Sequence, residues 1–234
     1  MISVVMAVYK GDKNIHQQLT SVLSQLGHGD EVIVSDDRPG EITERIVKKI
    51  AASDSRVIWV EGKNKGATAN LVNAVRHCKG DKIFFCDCKD VWLPDKVKRV
   101  TEEFRNGADL VVHNAYITDG SLEITDYSFF EKYSVSKSIL KNIYRNTFLL
   151  SCMAIDRKLL KKIMPIPRSV PVTAQWIGVI GCIYGKVRFI DIPLMYCRVG
   201  AGRRDSFEAS FKGDMRGRSL LLGKLYKRVI AGNG

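Results

Sequence analysis

The first half of the chain alternates two hydrophobic patterns: short, nearly continuous apolar runs, and stretches in which apolar residues recur every three or four positions. Ile2–Val8 is a near-unbroken apolar run, the pattern of a strand buried on both faces of a parallel sheet. Residues 13–26 place Ile15, Leu19, Val22, Leu23 and Leu26 at helical spacing. The alternation continues with strands over 31–35, 56–60, 82–86 and 109–113. Between them lie helices over 41–52, 66–78 and 94–104, the last begun by Pro94 in its first turn. The pattern predicts an α/β fold with a doubly wound, mostly parallel sheet flanked by helices.

Such sheets bind ligands beyond the carboxyl ends of their strands, near the point where strand order reverses. Polar residues gather at those ends here: Tyr9-Lys10-Gly11, Ser35-Asp36-Asp37-Arg38 and Asp87-Cys88-Lys89-Asp90. After His113 the pattern loosens. Residues 115–145 are rich in aromatics without a clean period, as in a small substrate-facing lobe. Strands are expected over 148–155, 187–190 and 193–198, and helices over 158–163 and 176–184, with an irregular stretch around Pro165, Pro167 and Pro171. From Phe207 the apolar residues Phe211, Met215, Leu222, Tyr226 and Val229 lie near helical spacing among basic residues, a basic amphipathic tail interrupted by glycines. The expected division is a nucleotide-binding half (1–113), an acceptor-side half of the same domain (114–206) and a helical tail (207–234).

Length and charge narrow the picture. The chain has 234 residues, ample for one α/β domain, and 45% hydrophobic residues, which excludes a disordered chain. Its formal charge of +12 calls for an anionic partner. Residues 198–234 hold nine Lys/Arg against three acids, half of that excess in the last sixth of the chain. The tail therefore suggests an anionic membrane surface, with a Gly-broken helix packed on the domain as the plainer alternative. Basicity alone does not make a nucleic-acid binder, and the chain has no helix-turn-helix, zinc-finger or RNP-type signature. The longest uncharged apolar stretch, residues 174–185, is too short to cross a bilayer. The first residues lack the basic region and cleavage site of a secretory leader. Six cysteines without a CxxC pair read as reduced, buried thiols of a cytosolic protein.

Two nucleotide motifs are absent. The first strand closes in Tyr9-Lys10-Gly11 without the further glycines of a dinucleotide fingerprint. Gly181–Lys186 is one residue short of a P-loop, and Val187 replaces its Ser/Thr. Two acidic strand ends are more informative. Asp36-Asp37 can accept hydrogen bonds from a nucleobase N–H or ribose hydroxyls, the alternative being solvated loop charges. Phe84-Phe85-Cys86-Asp87-Cys88-Lys89-Asp90-Val91-Trp92 ends a buried strand abruptly in acids, as a divalent-cation and sugar-nucleotide site does. Its plainer reading is the capped start of the helix after Pro94.

These blocks, in this order, resemble family 2 glycosyltransferases of the GT-A fold, in particular bacterial members that build surface polysaccharides. The resemblance rests on Met6-Ala7-Val8-Tyr9, Val32–Asp37, Asn64-Lys65-Gly66-Ala67-Thr68-Ala69-Asn70 and Asp87 through Lys96, together with Ser151–Arg157 and Asp191–Tyr196, and covers about residues 1–200. It implies inverting transfer of a hexose or deoxyhexose from a UDP- or dTDP-sugar to a lipid-linked or oligosaccharide acceptor. It also implies a cytoplasmic enzyme, peripheral on the inner membrane face. Ala7 and Tyr9 would flank the nucleoside, and Asp36 or Asp37 would contact base or ribose. Asn64 to Asn70 would line the donor side, and Asp87 and its neighbours, Lys89 and Asp90 among them, would hold the donor, with Asp87 on a Mg or Mn ion.

Three positions depart from the family pattern. Lys89 stands where the middle Asp of the cation-binding run belongs. Ala174, in Thr173-Ala174-Gln175-Trp176, occupies the place of the catalytic base, and no Asp or Glu occurs from Arg157 through Ile190. Tyr196-Cys197-Arg198-Val199-Gly200 lacks the family's histidine at Val199. Lys89 with Arg198, Arg203 and Arg204 can supply positive charge to the diphosphate, which makes a metal-independent enzyme conceivable. Asp119, Asp126 and Glu131 are the remaining candidates for the base. The rival reading is a catalytically degenerate relative that binds a nucleotide, a glycan or a partner enzyme without turnover.

Overall fold

A computed structural model describes residues 1–9, 14–39, 42–200 and 204–230, with only the backbone of 204–206. Lys10, Gly11, Arg203 and the side chain of Arg204 therefore lie outside the described residues.

Its centre is one nine-stranded sheet in the order β3-β2-β1-β4-β8-β6-β9-β5, with β7 paired to β6. Four parallel strands form the first half: β1 (Ile2–Val8), β2 (Glu31–Asp36), β3 (Val57–Glu61) and β4 (Lys82–Cys86). The helices α1 (Asn14–Leu23), α2 (Ile42–Ser53) and α3 (Ala67–Arg76) connect them. The chain runs outward from β1 to β3 and then returns to β1's other side, so strand order reverses between β1 and β4. Apolar runs without alternation form β1, β2 and β4 because both faces are covered: Val4, Met6, Val32 and Phe84 face one core, and Val5, Ile33, Ile83 and Phe85 the other.

The second half departs from simple winding. The strand expected at 109–113 is β6 (Leu110–Thr118), and it does not pair with β4. Between them runs β8 (Met153–Asp156), antiparallel to both. The stretch expected as one strand over 148–155 instead opens with a 3₁₀ turn at Leu150–Cys152. The two strands expected over 187–198 are one, β9 (Val187–Arg198), parallel to β6. Its register slips where Asn114 meets Pro193, since proline cannot donate to the ladder. The Asn114 side chain holds the irregular segment, donating to Asp191 O and Ser128 Oγ.

A two-residue strand, β5 (Val91–Trp92), pairs antiparallel with β9 and was not legible in the pattern. The helix expected from Pro94 begins two residues later as α4 (Lys96–Arg105), because Asp95 takes a left-handed φ of 66° as its N-cap. The aromatic lobe resolves into the end of β6, β7 (Ile124–Asp126), α5 (Phe129–Tyr133) and α6 (Ile139–Tyr144). These elements are too short to show a period. The remaining helices are α7 (Arg157–Ile163), α8 (Thr173–Tyr184), α9 (Arg204–Lys212) and α10 (Met215–Val229). The division drawn at 113 thus falls inside β6 and that at 206 inside α9, and both halves share the two cores.

The tail does not bury the apolar stripe expected of it. Phe211 packs with Phe129 and Tyr133, and α10 buries Leu221 and Leu225, while Met215, Leu222 and Tyr226 are exposed. Gly213 separates the two helices at φ 65°, and a Cβ there would come within 2.8 Å of Tyr144 O. All six cysteines are free thiols; five are buried and Cys182 is half-buried.

Two asparagines one turn apart on α3 tie the strand ends together. Asn70 Nδ2 donates to Val8 O at the end of β1 (2.8 Å) and to Ser35 O on β2 (3.0 Å), while its Oδ1 accepts from Ser35 Oγ (2.6 Å). Asn73 Nδ2 donates to Ser35 Oγ (2.9 Å) and to Glu61 O at the end of β3 (3.0 Å). Both side chains are buried, so lost partners cannot be replaced freely by water. Replacing Asn70 by Ala should cost about 2–4 kcal/mol, lowering the melting temperature by roughly 5–15 °C. Calorimetric melts of the variant check this, and a change below 1 °C would show that the tie carries no load.

Candidate active site

The carboxyl ends of β1, β2 and β4 meet at the reversal of strand order, and most of the polar residues singled out from the sequence are found there. Ala7 is half-buried at the end of β1 and Tyr9 is exposed just beyond it. Asp36 and Asp37 close β2 and are buried. The Asp37 amide donates to Val8 O (3.0 Å), and its Oδ1 accepts from the Asn64 amide (3.0 Å). Asn64 is exposed and holds that position with a left-handed φ of 48°. Gly62 allows this closure: a Cβ there would lie 2.3 Å from Asp37 Oδ1 and 2.7 Å from Asp36 O. The α3 N-terminus at Gly66 opens at the same edge, where its free amide ends favour an anion.

Asn70 has a different task from the one expected. Its amide is buried and committed to Val8, Ser35 and the sheet, so it shapes the donor edge without lining it.

The loop after β4 carries Asp87, Lys89 and Asp90, and the structure separates their environments. Asp87 and Lys89 are half-buried, and Asp87 Oδ1 accepts from the Lys89 amide (3.0 Å) in a tight turn. Asp90 is buried beneath them, with Oδ1 accepting from the Arg198 amide (3.2 Å). Burial, and then the charge of Asp87, push the Asp90 carboxyl up to about 7, against the opposing pull of Ser151, the Arg198 amide and Lys96. Asp90 therefore supports the loop from inside through its Oδ1.

Arg198 is likewise committed elsewhere. Its guanidinium donates to Asn14 Oδ1 (2.6 Å), Gln17 Oε1 (2.7 Å) and Gly120 O (3.3 Å), fastening β9 to the start of α1. In this arrangement the guanidinium proposed for the diphosphate is held by three acceptors of the chain.

The donor set does not suit a divalent cation. One unburied carboxylate, Asp87, shares the loop with the Lys89 ammonium, and Asp90 is turned to internal partners. Among the described residues no three His, Cys, Asp or Glu side chains come together as a cation site. An ammonium at Lys89 repels a dication but attracts a diphosphate.

The expected base position is equally clear. Ala174 is buried in the first turn of α8. Its neighbour Thr173 meets Thr68 of α3 hydroxyl to hydroxyl at 2.7 Å, so the start of α8 lies against the start of α3. Asp119 accepts from the amides of Ser121 (2.7 Å) and Glu123 (3.0 Å) in the β6–β7 turn, and Asp126 is paired with Lys132. Glu131 is exposed on α5. Among the described residues no hydrogen bond or ion pair joins any of the three to α8.

Lys96 is the residue that the sequence pattern concealed. It is 1% exposed, with Nζ donating to Ser151 O (3.1 Å) and lying 4.1 Å from the centre of the Trp92 ring. Burial lowers its pKa to about 8. The same cluster keeps buried His113 neutral, its pKa pushed well down by burial and then by Lys96. The available cue was register: Lys96 shares its helix face with the apolar Val100 and Phe104, at four and eight positions on.

Fold and strand-end chemistry together describe a nucleotide-sugar-binding α/β domain of the GT-A type. The model of the family described as glycosyl transferase family 2 matches residues 3–164, and the chain belongs to that family. An uncharacterized glycosyltransferase of Nostoc sp. is 25% identical over 93% of this chain and 70% of its own length. An Escherichia coli UDP-Glc:alpha-D-GlcNAc-diphosphoundecaprenol beta-1,3-glucosyltransferase is 33% identical over 42% of this chain and 38% of its own. Among solved structures, Staphylococcus aureus TarS 1–349 in complex with UDP-GlcNAc superposes with a TM-score of 0.69 at 16% identity, covering 98% of this chain and 72% of that one. Among the described residues no helix is long and apolar enough to cross a membrane.

The buried ammonium has a signed pH dependence. The unfolded chain keeps Lys96 protonated up to about pH 10.4, the fold only up to about 8. Between those values the unfolded chain binds the extra proton, so stability from this group rises with pH. Lys96→Met should be more stable than the native protein at pH 7 by on the order of 1–4 kcal/mol, and the gap should narrow from pH 8 to 10 in urea unfolding. A gap independent of pH would show that the ammonium is not desolvated.

Proposed function

We propose that this chain transfers a hexose or deoxyhexose, with inversion, from a UDP- or dTDP-sugar to a lipid-linked or oligosaccharide acceptor in bacterial surface-polysaccharide synthesis. It would work at the inner face of the cytoplasmic membrane. The observation that carries the reading is the carboxyl edge of the parallel strands, where Asp36, Asp37 and Asn64 lie beyond β2 on one side of β1 and Asp87 and Lys89 lie beyond β4 on the other. The acidic pair would accept from base or ribose, with Ala7 and Tyr9 flanking the nucleoside. Asp87 would accept from ribose or sugar hydroxyls.

An inverting transfer breaks the bond from the anomeric carbon to the diphosphate while the acceptor oxygen attacks from the opposite face. Negative charge grows on the leaving diphosphate, and preorganised positive groups lower that barrier. Lys89 and the α3 amides fill this role, in place of the divalent cation that the loop does not suit. The acceptor proton needs a base, a contribution of about 10²–10⁴-fold in related chemistry. Asp119, Asp126 and Glu131 are the remaining carboxylates proposed for it, reached through movement of the acceptor-side elements.

Ala174 favours a second reading: a degenerate relative that holds a nucleotide, glycan or partner enzyme without turnover. Nucleotide binding by calorimetry and nucleoside diphosphate release, over a panel of UDP-, dTDP- and GDP-sugars with acceptor extracts, distinguish the two. Binding should change less than twofold between EDTA and Mn²⁺ and weaken at least tenfold in Lys89→Ala. Turnover of the native chain supports the transferase. Binding without turnover, with turnover gained in Ala174→Asp, supports the degenerate reading. Absence of nucleotide binding sinks both.

A further inference from the structure

The outer surface of α10 is apolar in a protein that has already buried that helix's inner face. Leu221 and Leu225 point into the core, at 0% and 6% exposure. Met215, Leu222 and Tyr226 are 73%, 48% and 63% exposed. Their spacing of seven and four residues sets them along one outward stripe. The helix cannot roll to hide this stripe. Arg218 Nε donates to Tyr144 O (2.7 Å) near its start, and Arg228 near its end donates to Lys162 O and Met164 O (both 2.8 Å) and Pro165 O (2.6 Å).

A second element extends the stripe. On α6, Leu140 and Tyr144 are 79% and 60% exposed and lie four residues apart on one face. The Arg218 guanidinium lies 3.8 Å from the centre of the Tyr144 ring and 3.5 Å from Met215 Sδ, joining the two exposed faces. Residues 137–145 and 212–230 carry nine lysines and arginines against one carboxylate, Asp214.

We propose that the α6–α10 surface docks on an anionic lipid bilayer, with Leu140, Tyr144, Met215, Leu222 and Tyr226 entering the headgroup region. An apolar crest of Leu, Met and Tyr rimmed by cations is the arrangement that binds the plane of an acidic membrane. A second copy of the chain is a poorer occupant, because a two-fold contact would set this basic rim against itself. The inference names the surface for the membrane-side placement proposed above and rests on that reading. Its test is separable, because vesicle binding is read without donor or acceptor.

The full chain is co-sedimented with vesicles of phosphatidylcholine alone and with 30 mol% phosphatidylglycerol. Binding should be at least tenfold tighter to the anionic vesicles and weaken as salt rises. Leu222→Ser with Tyr226→Ser should lose at least tenfold in vesicle affinity while the melting temperature and nucleotide binding stay unchanged. Single Leu140→Ser, on the other helix, should lose several-fold. Equal binding to both vesicle types overturns the proposal, as does undiminished binding of the folded serine variants. A native dimer in light scattering that the same substitutions dissociate, without vesicle binding, assigns the stripe to self-association and also overturns it.

Discussion

Three parallel strands end at one edge, and their carbonyls must find donors there before the edge can bind anything. Asn70 and Asn73 provide those donors from a single face of α3, crossing from Val8 to Ser35 to Glu61. The tie fixes where β1 and β2 stop, and so where Asp36 and Asp37 stand. Gly62 then lets the end of β3 close on that acidic pair. Everything attributed to the donor edge depends on this closure, because a loop at the edge of an α/β sheet is only as precise as the strand ends that carry it.

The first four strands were legible because each is a compact apolar run, and β1, β2 and β3 are each followed by a helix of regular period. The second half was not, for a topological reason. Met153–Asp156 reads locally as a strand but gives no sign that it will enter between β4 and β6 in the opposite direction. Val91–Trp92 is too short to show alternation, and its pairing with β9 is decided by residues more than a hundred positions away. Site residues divide the same way. Acids at strand ends could be found by position, whereas the internal duties of Asn70, Asp90, Arg198 and Lys96 depend on burial and partners that no local pattern encodes. A lysine in Asp95-Lys96-Val97-Lys98 looks like one more surface charge, yet it lies beneath Trp92 and Ser151.

The chain keeps the family's scaffold while redistributing its charge. At the loop after β4 an ammonium occupies the position where the family resemblance calls for a carboxylate, and Asp90 is buried in a cluster that contains Lys96 and neutral His113. At α8 a methyl group occupies the position proposed for the base, next to the Thr173 that meets Thr68 of α3. The two changes have opposite consequences. A fixed cation can take over part of what a diphosphate needs, since only charge is asked of it. A methyl group cannot accept a proton, so the second change bears on turnover where the first bears on binding.

The insertion of β8 also sets an order of assembly. Strands β1 to β4 are complete once the first 86 residues have been made, and all of their mutual pairings lie within that stretch. The free edge of β4 then waits for Met153–Asp156, and β6 cannot join the sheet until that strand arrives. During synthesis from the N-terminus, a half-sheet with an open hydrogen-bonding edge therefore persists while some 70 further residues emerge. A late strand closes the sheet from the middle, and the last-made part of the chain then seals a domain whose ligand-binding edge was set early.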